Sequence, residues 1–139
     1  MALWFHDAIY DTSRRDNEER SAQWARKSAL SAGLSPERAE RIAGLVLATK
    51  HDAVPLGSDA GLLVDIDLAI LGSETARFEA YEMQIREEYA WVRESVYRQA
   101  RRQILEGFLN REWIYSTAFF RAEHEARARE NLSRSVARI

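Results

Sequence analysis

The segment WFHDAIYD, residues 4–11, sets an imidazole beside a carboxylate inside an apolar run. Seven of the nine residues from Ala2 to Tyr10 are apolar, and His6 and Asp7 interrupt them. A second apolar segment, AGLLVDIDLAILG at 60–72, is interrupted only by Asp65 and Asp67. A third polar group, His51, stands just past a helix-like stretch ending ATK. An ionised carboxylate in an apolar setting carries a large desolvation cost unless something compensates it. A divalent cation answers all three segments at once, because imidazole and carboxylate ligate Zn, Mn and Fe, and, through oxygen, Mg. Taken singly, each residue has a plainer reading: a satisfied core histidine, or an aspartate that caps a helix or pairs with arginine. Two apolar segments breached in the same way bring the cation level with those plainer readings. On a helix, Asp65 and Asp67 lie about 200° apart and cannot both face one ion, while His6 and Asp7 lie about 100° apart, so a shared ion sits between their directions. Asp67 shares a face with Leu63, Val64 and Leu71, and Asp65 with Leu62 and Ala69; the spacing leaves the choice between them open.

Other groups could serve phosphate chemistry around such an ion. Asp11 follows Asp7 by four residues, which places both on one helical face. It is a candidate to orient water or accept a proton; the alternative is a helix-end carboxylate in a polar loop. Glu18 is a second candidate base, against a first-turn role in which the helix dipole favours an acid. Lys50, one of two lysines, is the candidate phosphate cation, against a helix-end lysine favoured by the same dipole. Arg14 and Arg15 flank the loop after the dyad. No glycine-rich phosphate cradle and no Ser-His-Asp order is present. His124 with Glu125 does not make HExxH and reads as a surface helix position. The absence of cysteine excludes disulfides, thiolate metal sites and a cysteine nucleophile.

The elements that must position these groups are helical almost throughout, since only two prolines and six glycines punctuate the chain and strand-like alternation is scarce. Residues 2–10 predict a buried helix or the end of one. Asp16 is a plausible N-cap for the next helix, with Glu18 and Glu19 in its first turn and a stop near Gly33. Ser35, Pro36 and Glu37 mark the start of another, and Pro55, Gly57 and Ser58 mark a loop. Longer helices are predicted over roughly 75–91 and 94–110, the second amphipathic through Val96, Ala100, Ile104 and Phe108. Thr117 is the predicted cap of the last. Six or seven helices with short connections make an all-α fold, one domain over 1–139.

Taken in order, WFHDAIYD, DNEERSA, ATKHD, DIDLAILG, IREEY, RRQILEGFLNREWIYSTAFF and ARENL resemble, over nearly the whole chain, a family of small bacterial proteins of the HD superfamily. That family is described as predicted metal-dependent HD phosphohydrolases. The superfamily pattern is a His, then His-Asp, then a later Asp, on a compact helical bundle. The resemblance implies a divalent ion (Mn, Fe, Zn, Co or Mg) at His6, Asp7 and the late aspartate, Asp67 with Asp65 as its rival. It also implies hydrolysis of a small phosphorylated substrate, a nucleotide among the candidates, by metal-activated water. HD enzymes that hydrolyse guanosine tetraphosphate alarmones carry an acidic pair after the dyad; Tyr10 and Asp11 keep half of it, which argues against that substrate. The family's first His lies on a helix upstream, whereas five residues precede His6 here, so His51 or water is expected to fill its place. Without that helix Leu3, Trp4 and Phe5 are bared, and an apolar patch of this kind favours a homo-oligomer. The rival expectation is a helical binding or assembly domain that has lost a metal ligand and its activity.

Composition narrows the partners. A net charge of −2 argues against bulk nucleic-acid binding. Residues 98–138 carry nine Arg against five Glu, but the signs alternate along a helical pattern, as on a solvated salt-bridged face. The most apolar runs are far too short to span a bilayer, so no membrane is expected. No signal peptide is read at the N-terminus, and a reducing, cytoplasmic setting fits the lack of cysteine.

Overall fold

The computed structural model describes residues 1–51, 53 and 55–139. It is all-α: seven α-helices and one 3-10 segment, with no strand among the described residues. The chain forms two compact units, residues 1–64 and 65–139, and the division falls inside the fourth helix. Among the described residues no helix is long and apolar enough to cross a membrane.

The first unit holds α1 (Ala2–Phe5), α2 (Asn17–Ser31), α3 (Pro36–Ala48) and most of α4 (Ser58–Asp67). Ala2, Ala22, Ala25, Ala43, Val46 and Leu63 form its buried core, with Phe5, Ile42 and Leu45 packed against them. Phe5 also meets Trp24 edge to face at 5.6 Å. The punctuation read from the sequence is realised at α3, where the Ser35 hydroxyl accepts from the Arg38 N–H and Pro36 takes the first helical position. It is realised again beyond α2, where Gly33 adopts a left-handed φ of 82° and Leu34 N–H returns to the Ala29 carbonyl.

Two expectations are met only in part in this unit. Asp16 holds the N-cap position of α2, but its side chain makes no capping hydrogen bond. Arg14 claims the carboxylate instead, with bonds of 2.7 and 2.8 Å. The helix predicted over 2–10 ends at Phe5; of α1 only Ala2 is buried, while Trp4 is 86% exposed.

The second unit starts in the last turn of α4, passes through a 3-10 segment (Leu68–Gly72), and continues as α5 (Thr75–Glu88), α6 (Glu94–Leu109) and α7 (Ala118–Arg138). Leu68, Leu71, Phe78, Leu105, Ile114, Tyr115, Phe120, Ala128 and Leu132 are buried in it. Thr117 caps α7 by accepting from the Phe120 N–H. A side chain at Gly72 would collide with His124, whose Cβ lies 2.7 Å from where a Cβ would stand.

The amphipathic reading of α6 is reversed in part. Val96 and Ile104 are half exposed, whereas Arg101 and Leu105 are buried. Arg101 is tolerated inside because Glu82 pairs with it, and the Ser135 hydroxyl donates to the same carboxylate at 2.8 Å. The surface reading of Glu125 is also corrected. Glu125 is buried and accepts from the backbone N–H groups of Ile114 and Tyr115 and from Arg129 Nε, at 2.8 to 3.3 Å. Other charges of this region do form exposed pairs, among them Arg98 with Glu94 and Arg138 with Glu79.

Candidate functional site

His6 and Asp7 occupy the turn that follows α1. His6 Nδ1 lies 2.8 Å from the Leu3 carbonyl oxygen. A carbonyl can only accept, so Nδ1 carries the proton and the lone pair of the neutral ring is on Nε2. Nε2 faces Asp7 Oδ2 at 3.2 Å. Two acceptors this close repel unless a positive species joins them, either a second ring proton or a cation. The pair is open to solvent on the Asp7 side, with side chains 20% and 65% exposed. Ser21 pins the turn: its hydroxyl accepts from Ile9 N–H at 3.0 Å and donates to the Ile9 carbonyl at 3.3 Å. Ser21 itself is fully buried on α2.

Asp65 and Asp67 share the last turn of α4 and differ in what surrounds them. Asp65 is fully buried, and its two oxygens accept the backbone N–H groups of Ser116 and Thr117, each at 2.7 Å. Its charge is thus compensated by the chain itself, as a structural acid requires. Asp67, two residues on, is half-buried. Within the first unit, His6 and Asp7 set an imidazole nitrogen and a carboxylate oxygen side by side. Imidazole and carboxylate suit Mn, Fe, Zn, Co or Mg, and the Nδ1–H bond to Leu3 leaves Nε2 as the ligating atom.

The remaining candidates fall into place around α2 and α3. Asp11 organises its own turn: its Oδ1 accepts from Ser13 N–H at 2.9 Å and from Ser13 Oγ at 2.6 Å. Asn17 closes that turn on the Asp11 backbone. The Ser13 hydroxyl, and then the Ser13 N–H, hold the Asp11 carboxyl below the usual range, which makes it a poor proton acceptor. Glu18 is half-buried in the first turn of α2. Lys50, just past α3, forms an ion pair with Glu19. His51 follows with a left-handed φ of 59°, uncommon for a residue other than glycine. Asp52, the last residue of ATKHD, lies outside the described residues. A groove of about 560 Å³ runs between α3 and the start of α4, beside Leu45, Leu47, Pro55 and Leu56, and no ligand candidate lines its described wall.

Sequence reading missed Glu19, Ser21 and Glu125. Glu19 and Lys50 are 31 residues apart, so no local spacing announces their pairing. Ser21 lies among helix formers, and its small size beside Ala22 and Ala25 was the one available sign of a close contact. Compared with family models, curated proteins and solved structures, the chain matches none of them.

Proposed function

We propose that the protein is a metal-dependent phosphohydrolase of the HD type, with His6, Asp7 and Asp67 as metal ligands and a small phosphorylated compound as substrate. One observation supports the reading: His6 Nε2 stands 3.2 Å from Asp7 Oδ2, an imidazole nitrogen and a carboxylate oxygen close enough to share one cation. The engagement of both Asp65 oxygens by backbone donors favours Asp67 as the late aspartate. The ordered segments shared with the HD family supply the reaction class, by resemblance.

A divalent cation lowers the pKa of water towards neutrality and stabilises charge on phosphoryl oxygens. The chain does the rest. Leu3 fixes the His6 tautomer through Nδ1, Ser21 holds the turn that carries the dyad, and Lys50 supplies positive charge for the phosphate. Glu18 is the better placed of the two proposed bases, because Asp11 is bound up in its own turn. The setting is cytoplasmic. Exposed Leu3 and Trp4 on α1 support self-association, which light scattering tests.

Metal content by plasma emission, followed by hydrolysis of phosphate esters and nucleotides with Mn, Fe, Co or Mg, tests the proposal. Metal-dependent turnover that disappears in Asp7→Ala, with helicity intact, is the expected result. A metal-loaded protein inert on all these substrates makes it a binding domain instead.

A further inference from the structure

We propose that the outer face of α6 is a self-association surface, on which α6 packs antiparallel against α6 of a second copy of this chain. The inference goes beyond the hydrolase reading and does not depend on it. Within the second unit, Arg101 and Leu105 turn inward, while Val96 and Ile104 stand 54% and 50% exposed. Ala100 lies between them on the helix and is exposed as well. The three form a stripe at four-residue spacing, so the apolar side of an amphipathic helix faces solvent. Gln99, Gln103 and Gly107 are exposed beside it. On a helical projection no charged residue from Glu94 to Leu109 falls within about 90° of Ala100. In a chain that is 30% charged, such a face is not built for water alone. Gly107 adds an independent sign. Glycine inside a helix is less stable than alanine, and a Cβ at Gly107 would meet nothing within 4 Å. Nothing within the chain requires the missing side chain, whereas the close approach of another molecule does.

The chemistry of the face selects a copy of itself, and one orientation of it. In a two-fold antiparallel pair centred on Ala100, Val96 meets the partner's Ile104 and Ala100 meets the partner's Ala100. Small side chains at the centre let the two helix axes come close. Gln99 lies across from the partner's Gln99, and a carboxamide both donates and accepts, so the pair satisfies itself. Arg93, exposed at the N-cap position, reaches the partner's Gly107 in the last turn of that helix, where the dipole favours a cation. The two-fold makes this contact twice. A parallel pair instead sets Arg93 against the partner's Arg93, like charge on like. With 16 residues, α6 is about 24 Å long. One helix face covers less than the ~800 Å² per partner of a standard interface, so a reversible dimer in the micromolar range is expected.

Sedimentation velocity on the full chain, from below to well above micromolar concentration, is the test. A concentration-dependent dimer is expected. Ala100→Glu sets two carboxylates together on the two-fold axis and is expected to leave a monomer, with helicity unchanged because the position is exposed. Arg93→Glu puts an acid at the negative end of the partner's helix and weakens the dimer about tenfold. The chain has no cysteine, so single cysteines report the geometry. Under copper-catalysed oxidation Ala100→Cys links to its own copy. Val96→Cys does not, because the two copies of that position stand about 12 Å off the axis on opposite sides. A chain that is monomeric throughout overturns the proposal, as does a dimer that survives Ala100→Glu. Equal linking of both cysteines overturns it as well, since that is the mark of a parallel pair. A dimer lost in Trp4→Ser and kept in Ala100→Glu assigns self-association to α1 and has the same consequence. If Ala100→Glu does not fold, the two cysteine variants, close in size to the residues they replace, decide by themselves.

Discussion

Asp65 receives the backbone N–H of Thr117 at 2.7 Å, across 52 residues of chain, and that of Ser116 at the same distance. Thr117 is the cap of α7, so a buried acid in α4 fixes where the last helix begins. Asp65→Asn puts an amide N–H against a backbone N–H and is expected to destabilise the fold by about 2 kcal/mol, the cost of a buried donor left without its acceptor. Thermal melting checks it, and metal affinity per folded molecule stays the same. Asp67→Asn is expected to lower metal affinity roughly tenfold or more. If Asp65→Asn alone loses the metal, the two assignments are interchanged.

Glu125 is a structural acid of the second unit. It accepts two backbone N–H groups and Arg129, inside the fold. Glu125→Ala leaves those donors and the arginine uncompensated and is expected to cost about 3 kcal/mol, in line with breaking a buried ion pair. Urea denaturation measures it. A loss within experimental scatter would mean water replaces the carboxylate freely.

Acid weakens the fold in a definite window. Asp16, lowered mainly by Arg14, and Glu94, lowered mainly by Arg98, have folded pKa values below their ordinary 3.8 and 4.5. Groups depressed on folding contribute stability that is complete above the unfolded value and lost as pH falls through the folded one. The melting temperature is thus expected to be flat through neutral pH and to decline below about 4.5. Both carboxylates are about half exposed, at 46% and 52%, so added salt flattens the decline. Glu94→Gln shallows it, and a slope untouched by salt or by that variant assigns the effect to buried acids.

What could be read from the chain followed the range of the interaction. Ser35 with Pro36, Gly33 and Thr117 act on backbone within four residues, and each stands where its chemistry requires. Apart from Asp16, whose carboxylate goes to Arg14 two residues away, the failures involve a distant partner. The first helix stops at Phe5 and the turn after it is held by Ser21, twelve residues away. Arg101 sits inside because Glu82 meets it, against the apolar pattern of α6. Glu125 looked like one more charge on an alternating face until its two backbone donors were seen. In the candidate site, the spacing of Asp65 and Asp67 left them equivalent, because the backbone donors that engage Asp65 come from residues 116 and 117, about fifty residues away.

The Ser21 clasp on Ile9 gives the dyad turn a built-in reporter. The Ile9 amide hydrogen is sheltered by the hydroxyl of another helix and not by a helix of its own. Its exchange with deuterated solvent therefore times the detachment of residues 6–9 from α2, separately from the unravelling of either segment. A cation gripping His6 and Asp7 would slow that exchange while leaving amides deep in α6 at their former pace.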